Sequence, residues 1–360
     1  MKKAIVCGIV ISLCIILFGY QLLGERPQVR YEYTVSEASG PSTQTGAGVA
    51  GEPLSVTLLA FGDMMLDRQV RLFINQYGTD YPFKYIEPLI PGNDIVFANL
   101  EGSVTYNPSK TADLSGKYLH FTFDPALMPV LKKYGFNVVS LANNHAYDFF
   151  RAGYLETQKH LSDAGIAYFG DPYNKENLSV IKEVNGIKVA FVGYHEFYTS
   201  TTSPVTAEIA RLKRDELADI IIAAPHWGYE YQKNFAPMQQ VRGRAFIDAG
   251  ADIVLGAHPH VIQPIEIYKG KPIFYSLGNF IFDQDFSFDT THALAVRITF
   301  VEEDALFELI PITIQKSQAS VSEPFVKEKI LADLARLSKV TPELKEEIKK
   351  GSFSLTLTAN

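Results

Sequence analysis

Carboxylate, amide and imidazole side chains recur in this sequence directly after short apolar runs, where β-strands are expected to end. The clearest case is His258 and His260, which stand one residue apart after the apolar run 251–255. Because alternate side chains of an extended backbone point the same way, both imidazoles are expected to face one cavity. Histidine is the commonest metal ligand near neutral pH, so the pair predicts a metal site, with two ordinary loop histidines as the alternative.

Four other apolar runs also end in side chains that can bind a metal. The full set is Asp63, Asn99 with Glu101, Asn144 with His145, His226, and His258 with His260. In open α/β sheets, ligands bind outside the carboxyl ends of the strands, so these residues are expected to meet. Their mixed oxygen and nitrogen donors suit Mn, Fe or Zn better than Ca or Mg. Because the set exceeds the four ligands of one closed site, it predicts two divalent ions, or one ion with an open position for water.

Simpler roles remain open for three of these residues. Asp63 is also a candidate N-cap for a helix that is predicted to begin at Leu66. Asn144 is a residue type that often holds loop backbone through its amide group. His226 precedes Trp227 and Gly228, and a loop histidine that donates to a carbonyl is its alternative role.

Three further polar residues are predicted to contact the substrate or to support the ligands: Arg68, Glu230 and Asn279. For Asn279, which follows the predicted strand 272–276, a turn residue lining the cleft is the simplest role. The remaining histidines follow no comparable strand end and are left outside the predicted site: His120, His160, His195 and His292.

The elements that position the candidate ligands follow from hydrophobic patterns. Five apolar runs predict buried strands, each before one ligand group: 55–61, 94–98, 137–141, 219–224 and 251–255. Helical patterns lie between them: 125–134, 153–164, 206–214 and 238–249. A hairpin across Asn185-Gly186 and closing strands at 293–300 and 305–314 add antiparallel pairing. Strands that alternate with helices indicate an α/β fold, here with mixed sheets.

The net charge and the N-terminal residues indicate which partners and which cellular location the protein can have. The net charge of the 360 residues is -7, which argues against nucleic acid as a partner because no basic face is available for phosphates. Residues 4–24 are nearly all apolar and follow Lys2 and Lys3, which predicts a single-pass anchor in the bacterial membrane with the body on the extracytoplasmic face. A cleaved signal peptide is the alternative. Both cysteines, Cys7 and Cys14, lie in this segment.

Composition divides the chain into four parts. The anchor at residues 1–24 is followed by residues 25–54, whose Ser, Gly and Thr content predicts a flexible linker. Residues 55–316 hold every candidate ligand and are predicted to form the folded domain. Residues 317–360 are predicted to form a helical tail with two short helices.

Six motifs in order make the sequence resemble the bacterial CapA family, whose members are associated with poly-γ-glutamate capsule synthesis. The motifs are FGD at 61–63, ANLE at 98–101, LANNHAYD at 141–148, HWGYEY at 226–231, GAHPHVIQPIE at 256–266 and YSLGNF at 275–280. That family in turn resembles calcineurin-like metallophosphoesterases. The resemblance implies a metallophosphoesterase-like β-sandwich of mixed sheets flanked by helices, with one or two divalent ions.

The resemblance also implies roles for individual residues. It makes His145 the acid that protonates a leaving group, and it places the bridging carboxylate at Asn99 or Glu101, of which only Glu101 carries a charge. The implied ligands are Asp63, Asn99 or Glu101, Asn144, His226, His258 and His260. Met65 stands where the superfamily pattern has a histidine, which weakens one of the two metal positions.

Two functions are compatible with this pattern. The first is a membrane-tethered, extracytoplasmic metallohydrolase that cleaves a phosphoester, or an amide or ester bond of a wall or capsule polymer. The second is a non-catalytic accessory subunit that binds or guides an anionic polymer such as poly-γ-glutamate at a membrane synthase complex. The intact ligands favour the first function, and Met65 in place of histidine favours the second.

Overall fold

The computed structural model describes residues 54–111, 119–199 and 201–357. The predicted anchor at 1–24 and the predicted linker, apart from Leu54, lie outside the described residues. No helix within the described ranges combines the length and the apolar character that a membrane crossing requires.

The described ranges alternate strands and helices. The strands are β1 (Ser55–Met64), β2 (Ile95–Leu100), β3 (Ser103–Val104), β4 (Thr122–Phe123), β5 (Val138–Ser140), β6 (Ala167–Phe169), β7 (Ser179–Val184), β8 (Ile187–His195), β9 (Ile220–His226), β10 (Ile253–Leu255), β11 (Ile265–Tyr268), β12 (Lys271–Phe274), β13 (Asn279–Ile281), β14 (His292–Val301), β15 (Asp304–Gln315), β16 (Gln318–Val321) and β17 (Ser352–Thr356). The α-helices are α1 (Arg68–Tyr77), α2 (Leu127–Lys133), α3 (Phe150–Asp163), α4 (Ser203–Arg214), α5 (Pro237–Asp248), α6 (Pro324–Leu337) and α7 (Pro342–Lys350).

Two large mixed sheets carry the fold. The nine-stranded sheet has the order β16-β15-β14-β1-β2-β5-β6, with β13 beside β1 and β17 beside β15. Its β1, β2, β5 and β6 run parallel, whereas β14 pairs antiparallel with both β1 and β15. The six-stranded sheet has the order β11-β12-β10-β9-β8-β7, parallel in the middle and antiparallel at both edges. The predicted mixed α/β fold is confirmed.

Alternating side chains separate three apolar layers. Leu58 of β1 and Ile222 of β9 belong to one cluster, so the two sheets pack face to face. The next residue of β1, Leu59, points to the opposite face and packs with residues of α1, α2 and α3. Ile221 likewise faces α4 and α5 on the outer side of the smaller sheet. Helices therefore flank both sheets and leave the strand ends to form the site.

Two details differ from the sequence-based expectations. The first helix begins at Arg68, not at Leu66, and Asp67 occupies its N-cap position, so Asp63 is not a cap. The tail holds two helices as expected, but β16 and β17 also lie in it and join the larger sheet. Phe353 of β17 is buried with its ring 4.8 Å from that of Phe307, while the flanking Ser352 and Ser354 are exposed. This alternation is the strand pattern that the helical prediction overlooked.

Candidate metal centre

Strand ends from both sheets meet at one edge of the molecule. Asp63 is paired in register with Asn99 on one side and Asn279 on the other, which brings β1, β2 and β13 together. The smaller sheet contributes His226 at the end of β9. The loops after β5 and β10 supply the other candidates: Asn144, His145, His258 and His260. The structure thus gathers the residues that the sequence placed at five separate strand ends.

Asp63, Glu101 and His260 form the acidic half of the centre. Each offers one ligand atom, and these atoms all lie within 4.8 Å of one another. His260 Nδ1 lies 3.2 Å from Asp63 Oδ2, and His260 Nε2 lies 3.8 Å from Glu101 Oε1. All three residues are buried.

Charge is concentrated in the acidic half. Burial and the neighbouring charge of Asp63 raise the pKa of Glu101 well above its usual value. Burial opposes protonation of His260, but Glu101 and Asp63 outweigh that effect and raise the pKa of His260 to about 9. Glu101 Oε2 is buried and has no hydrogen-bond partner among the described residues. A buried carboxylate oxygen without a partner is costly, and a cation is the partner that suits it.

Asn144, His226 and His258 form the imidazole half. His226 Nε2 lies 2.8 Å from Asn144 Oδ1 and 3.1 Å from His258 Nδ1. Burial, with the other imidazoles nearby, lowers the pKa of His226 well below its usual value. Burial and His260 lower the pKa of His258 to about 3. Both rings are therefore neutral near pH 7, the state in which imidazole binds a metal.

The residues present fit a divalent ion. The acidic half combines two buried carboxylates with an unpartnered oxygen, and the imidazole half has two ring nitrogens that face each other. Without a cation, the Glu101 oxygen of the acidic half is buried and unsatisfied, whereas the imidazole nitrogens contact each other and Asn144. The donors are oxygen and nitrogen without sulfur, as the sequence predicted for Mn, Fe or Zn.

Asn99 acts here as a support for Asp63. Its Nδ2 donates to Asp63 Oδ1 at 2.8 Å and lies 3.2 Å from His226 Nδ1. Its Oδ1 accepts from Asn143 Nδ2 at 3.1 Å. The amide oxygen is thus already engaged, and Glu101, not Asn99, offers a free oxygen to an ion.

The paired histidines reach the centre by a different backbone path from the one expected. His258 has φ 96° and His260 has φ 58°, so the loop is not extended as the argument from alternating side chains assumed. Their ring centroids are nonetheless 5.8 Å apart, and the two rings serve different halves. Positive φ is unfavourable for a residue with a Cβ, and such strain is typical of functional loops.

His145 lies beside the acidic half and is oriented by Asp148. Its Nδ1 is 2.8 Å from Asp148 Oδ2, and its Nε2 is 3.9 Å from Glu101 Oε1. The ring packs on Phe121 at a centroid distance of 4.2 Å, and Phe121 N donates to the same Asp148 oxygen at 2.6 Å. Sequence reasoning quoted Asp148 in a motif but gave it no role. Its spacing of three residues from His145 was the available signal.

The three supporting residues occupy different places. Asn279 is buried, and its Oδ1 lies 3.0 Å from His260 Nδ1, so it orients a ligand. Arg68 pairs with Asp283, with 3.2 Å between Arg68 Nε and Asp283 Oδ2. Glu230 is exposed, yet a carboxylate oxygen lies within 4.8 Å of ring nitrogens of both His258 and His260.

His195 is a buried imidazole beside the centre that the sequence reasoning left out. It is paired in register with His226, and the two ring centroids are 6.0 Å apart. Its Nδ1 lies 2.9 Å from the Pro172 carbonyl oxygen, so Nδ1 carries the proton and Nε2 the lone pair. That Nε2 is buried without a partner in the described part of the chain. The hairpin prediction stopped at residue 192, three residues short of the strand end.

Comparison with known proteins gives the family. Residues 57–284 match the family described as bacterial capsule synthesis protein PGA_cap. The chain belongs to this family. The resemblance to CapA proteins is therefore confirmed, and the family match contains every residue of both halves.

Named relatives agree with this assignment. The chain is 32% identical over 304 residues to capsule biosynthesis protein CapA of Bacillus anthracis, covering 79% of this chain and 74% of the relative. It is 35% identical over 288 residues to PGA biosynthesis protein CapA of Bacillus subtilis, covering 75% of each. It is 26% identical to a probable polyglutamine synthesis accessory protein of Mycobacterium tuberculosis, covering 66% of this chain and 77% of the relative.

A solved structure is more distantly similar. Purple acid phosphatase PPD1 from yellow lupin (Lupinus luteus) seeds has a TM-score of 0.31 and 13% identity, covering 76% of this chain and 53% of the phosphatase.

Proposed function

We propose that this PGA_cap family protein is a metal-dependent hydrolase of the metallophosphoesterase type that acts in capsule synthesis. One observation carries the proposal: the acidic half and the imidazole half meet beside His145, whose ring is fixed by Asp148. A divalent ion bound there lowers the pKa of water and neutralises charge on a phosphoryl or acyl oxygen.

Different residues of the chain bind metal, orient the ligands and donate a proton. Asp63, Glu101 and His260 would hold an ion on the acidic side, and Asn144, His226 and His258 would do so on the imidazole side. Asn279 and Asn99 keep His260 and Asp63 in orientation. Asp148 contacts Nδ1 of His145, which leaves Nε2 directed towards the acidic half. From Nε2, His145 donates a proton to the leaving group as a general acid.

The relatives support a role in poly-γ-glutamate synthesis, since two of them are named for capsule or PGA biosynthesis. The bond cleaved on this proposal is a phosphoester, or an amide or ester bond of a wall or capsule polymer. We further propose that the apolar residues 4–24 tether the domain to the cell membrane, with its body on the extracytoplasmic face beside the synthase subunits.

The second candidate function is an accessory subunit that guides the polymer without cleaving it. Met65 favours it, because this buried side chain cannot replace an imidazole ligand and its Sδ accepts from Asp67 N at 3.0 Å. The mycobacterial relative is also named as an accessory protein. Under this function an ion would have a structural role only.

The variant His145→Asn tests the hydrolase proposal. Asparagine keeps a donor near the position of Nδ1 but removes Nε2, so the metal content and the folded spectrum should not change. Hydrolysis of an alkyl phosphoester or a γ-glutamyl substrate should fall by roughly 10²- to 10⁴-fold, the usual worth of general acid catalysis. With a nitrophenyl leaving group, which needs little protonation, the loss should be smaller.

His160→Asn is the matched control, since His160 lies on α3 outside the centre and pairs with Glu156. It should retain full activity. If His145→Asn is as active as the wild type, or fully restores polymer secretion in a deletion strain, the accessory function is the correct one.

A further inference from the structure

Glu230 lies across both halves of the candidate centre. It belongs to the loop between β9 and α5. One oxygen of its carboxylate, one ring nitrogen of His258 and one ring nitrogen of His260 all lie within 4.8 Å of one another. His260 belongs to the acidic half and His258 to the imidazole half. The other carboxylates of the centre, Asp63 and Glu101, are buried, whereas Glu230 approaches from the solvent side.

The backbone on both sides of Glu230 is fixed. Gly228 N donates to Glu196 Oε2 at 2.8 Å, and Tyr231 N donates to the Pro259 carbonyl at 2.8 Å, between the two histidines. Tyr231 has φ 63°, an unfavourable value that its hydrogen bond helps to maintain. The loop is therefore held against the segment that carries His258 and His260.

The same loop is secured further along the chain by Gln263. This side chain is buried, and its Nε2 donates to the Gln232 carbonyl at 2.8 Å. Its Oε1 accepts from Gln239 Nε2 at 2.8 Å, which ties the loop to the start of α5. These hydrogen bonds hold the loop in one conformation, which keeps the Glu230 carboxylate near the imidazoles of His258 and His260.

The ligand atom of Glu230 groups with those of His258 and His260, and not with those of Asp63 and Glu101. Asp63, Glu101 and His260 form a group of their own, and Met65, directly after β1, is buried with its thioether turned to Asp67 N. A thioether is a soft ligand that suits Cu(I), not a site built from carboxylates. Between His258 and His260, by contrast, the exposed Glu230 carboxylate adds a hard oxygen donor to two imidazole nitrogens.

We propose that Glu230 is a metal ligand that joins His258 and His260 from the solvent side, and so holds an ion where the two halves meet. The assignment rests on the metal binding of the proposed function. It gives this position a carboxylate oxygen beside two imidazoles, and such a set favours Mn²⁺ over Zn²⁺ relative to a set of imidazoles alone. Because Glu230 is exposed, this ligand is also the one that an anionic substrate can displace.

Titration of the purified full chain with Mn²⁺, after treatment with a chelator, tests the assignment. Glu230→Gln keeps the size of the side chain and removes its charge. Its Mn²⁺ affinity should fall by at least about 10-fold in one binding step. Mutation of a group that only hydrogen-bonds to a metal ligand already lowers metal affinity by about 10-fold or more. Glu183→Gln is the matched control, because Glu183 is an exposed acid on β7. It should bind Mn²⁺ like the wild type.

Thermal unfolding in chelator separates a ligand from a structural role. Because glutamine keeps the size of this exposed side chain and backbone hydrogen bonds hold the loop, the metal-free Glu230→Gln chain should be as stable as the wild type, while the stabilisation by Mn²⁺ shrinks. If the folded Glu230→Gln chain binds Mn²⁺ with wild-type affinity, the assignment of Glu230 is wrong but the proposed function still stands. A wild-type chain that binds no divalent ion would overturn the proposed function as well.

Glu230→His provides a second, independent variant should Glu230→Gln not fold. Imidazole in place of the carboxylate should shift the ratio of Zn²⁺ to Mn²⁺ affinity towards Zn²⁺ by roughly 10-fold or more. An unchanged ratio would show that the side chain at position 230 does not contact the ion, and would overturn the assignment.

Discussion

The titratable residues of both halves of the candidate centre are buried, but burial and neighbouring charges shift their pKa values in opposite directions. In the acidic half, burial and the neighbouring Asp63 carboxylate raise the pKa of Glu101, and Glu101 and Asp63 raise the pKa of His260 despite its burial. In the imidazole half, burial among other imidazoles lowers the pKa of His226 and His258. One half therefore holds protons near neutral pH, and the other does not.

This difference has a consequence for metal binding. An ion that enters the acidic half must displace protons, but it gains the attraction of at least two buried carboxylates. An ion in the imidazole half displaces none and gains only neutral donors. We therefore expect tighter, more strongly pH-dependent binding in the acidic half, and weaker binding that changes little near neutral pH in the imidazole half.

Asp63→Asn should produce the largest change, because Asp63 contacts both halves. Its Oδ2 accepts from His258 N at 3.1 Å and lies 3.2 Å from His260 Nδ1, and its Oδ1 accepts from Asn99. The divalent-ion affinity of the variant should fall by more than about 100-fold, because mutation of a residue that only hydrogen-bonds to a metal ligand can already lower affinity by about that factor. Titration calorimetry with Mn²⁺ measures this loss. Near wild-type affinity in a folded Asp63→Asn chain would mean that the two halves are not one centre.

The next prediction concerns acid stability in the metal-free chain. Burial, partly offset by the hydrogen bond to Pro172, lowers the pKa of His195 from 6.5 to about 4. The unfolded chain protonates this residue first, so its contribution is complete above pH 6.5 and is lost as the pH falls towards 4. His260 has the opposite sign: its stabilising effect is present below pH 6.5 and is lost as the pH rises through about 9.

His195→Asn isolates the acid side of this comparison. Asparagine can keep a donor for the Pro172 carbonyl but does not titrate, so the variant should lose about 3 kcal/mol less stability between pH 6.5 and pH 4 than the wild type. Urea unfolding at a series of pH values in chelator measures the difference. His160→Asn, at a half-buried histidine of α3 outside the centre, is the control. Parallel curves for His195→Asn and the wild type would mean that His195 already titrates normally in the folded chain.

Much of the fold could be predicted because it depends on local patterns. Apolar runs marked the strands, and the meeting of parallel strand ends at one edge brought Asp63 and His226 together from opposite sheets. What the sequence hid depends on contacts between distant residues. The positive φ angles of His258 and His260 belong to residues that usually avoid them, and no local pattern predicts that choice.

The missed residues have similar causes. His195 looked like a residue beyond a short hairpin, because the parallel pairing of β8 with β9 that extends the strand is a long-range interaction. Strand β17 pairs with β15 across almost fifty residues, so its short alternating pattern alone did not distinguish it from the end of a helical tail. Asp148 acquires its role only when the loop after β5 turns its carboxylate back to His145.

The smallest expected effect is that of Asp148→Asn, which tests whether His145 works as a fixed acid. Asp148 Oδ2 lies 2.8 Å from His145 Nδ1 and accepts from Phe121 N at 2.6 Å, and an amide oxygen can keep only part of these contacts. Loss of one hydrogen bond to a charged group costs about 1.5 kcal/mol, which corresponds to roughly 10-fold in rate. Because Asp148 acts through His145, the double variant with His145→Asn should be no slower than His145→Asn alone. Steady-state rates on an alkyl phosphoester measure all three variants, and additive losses would show that Asp148 stabilises the centre by another route.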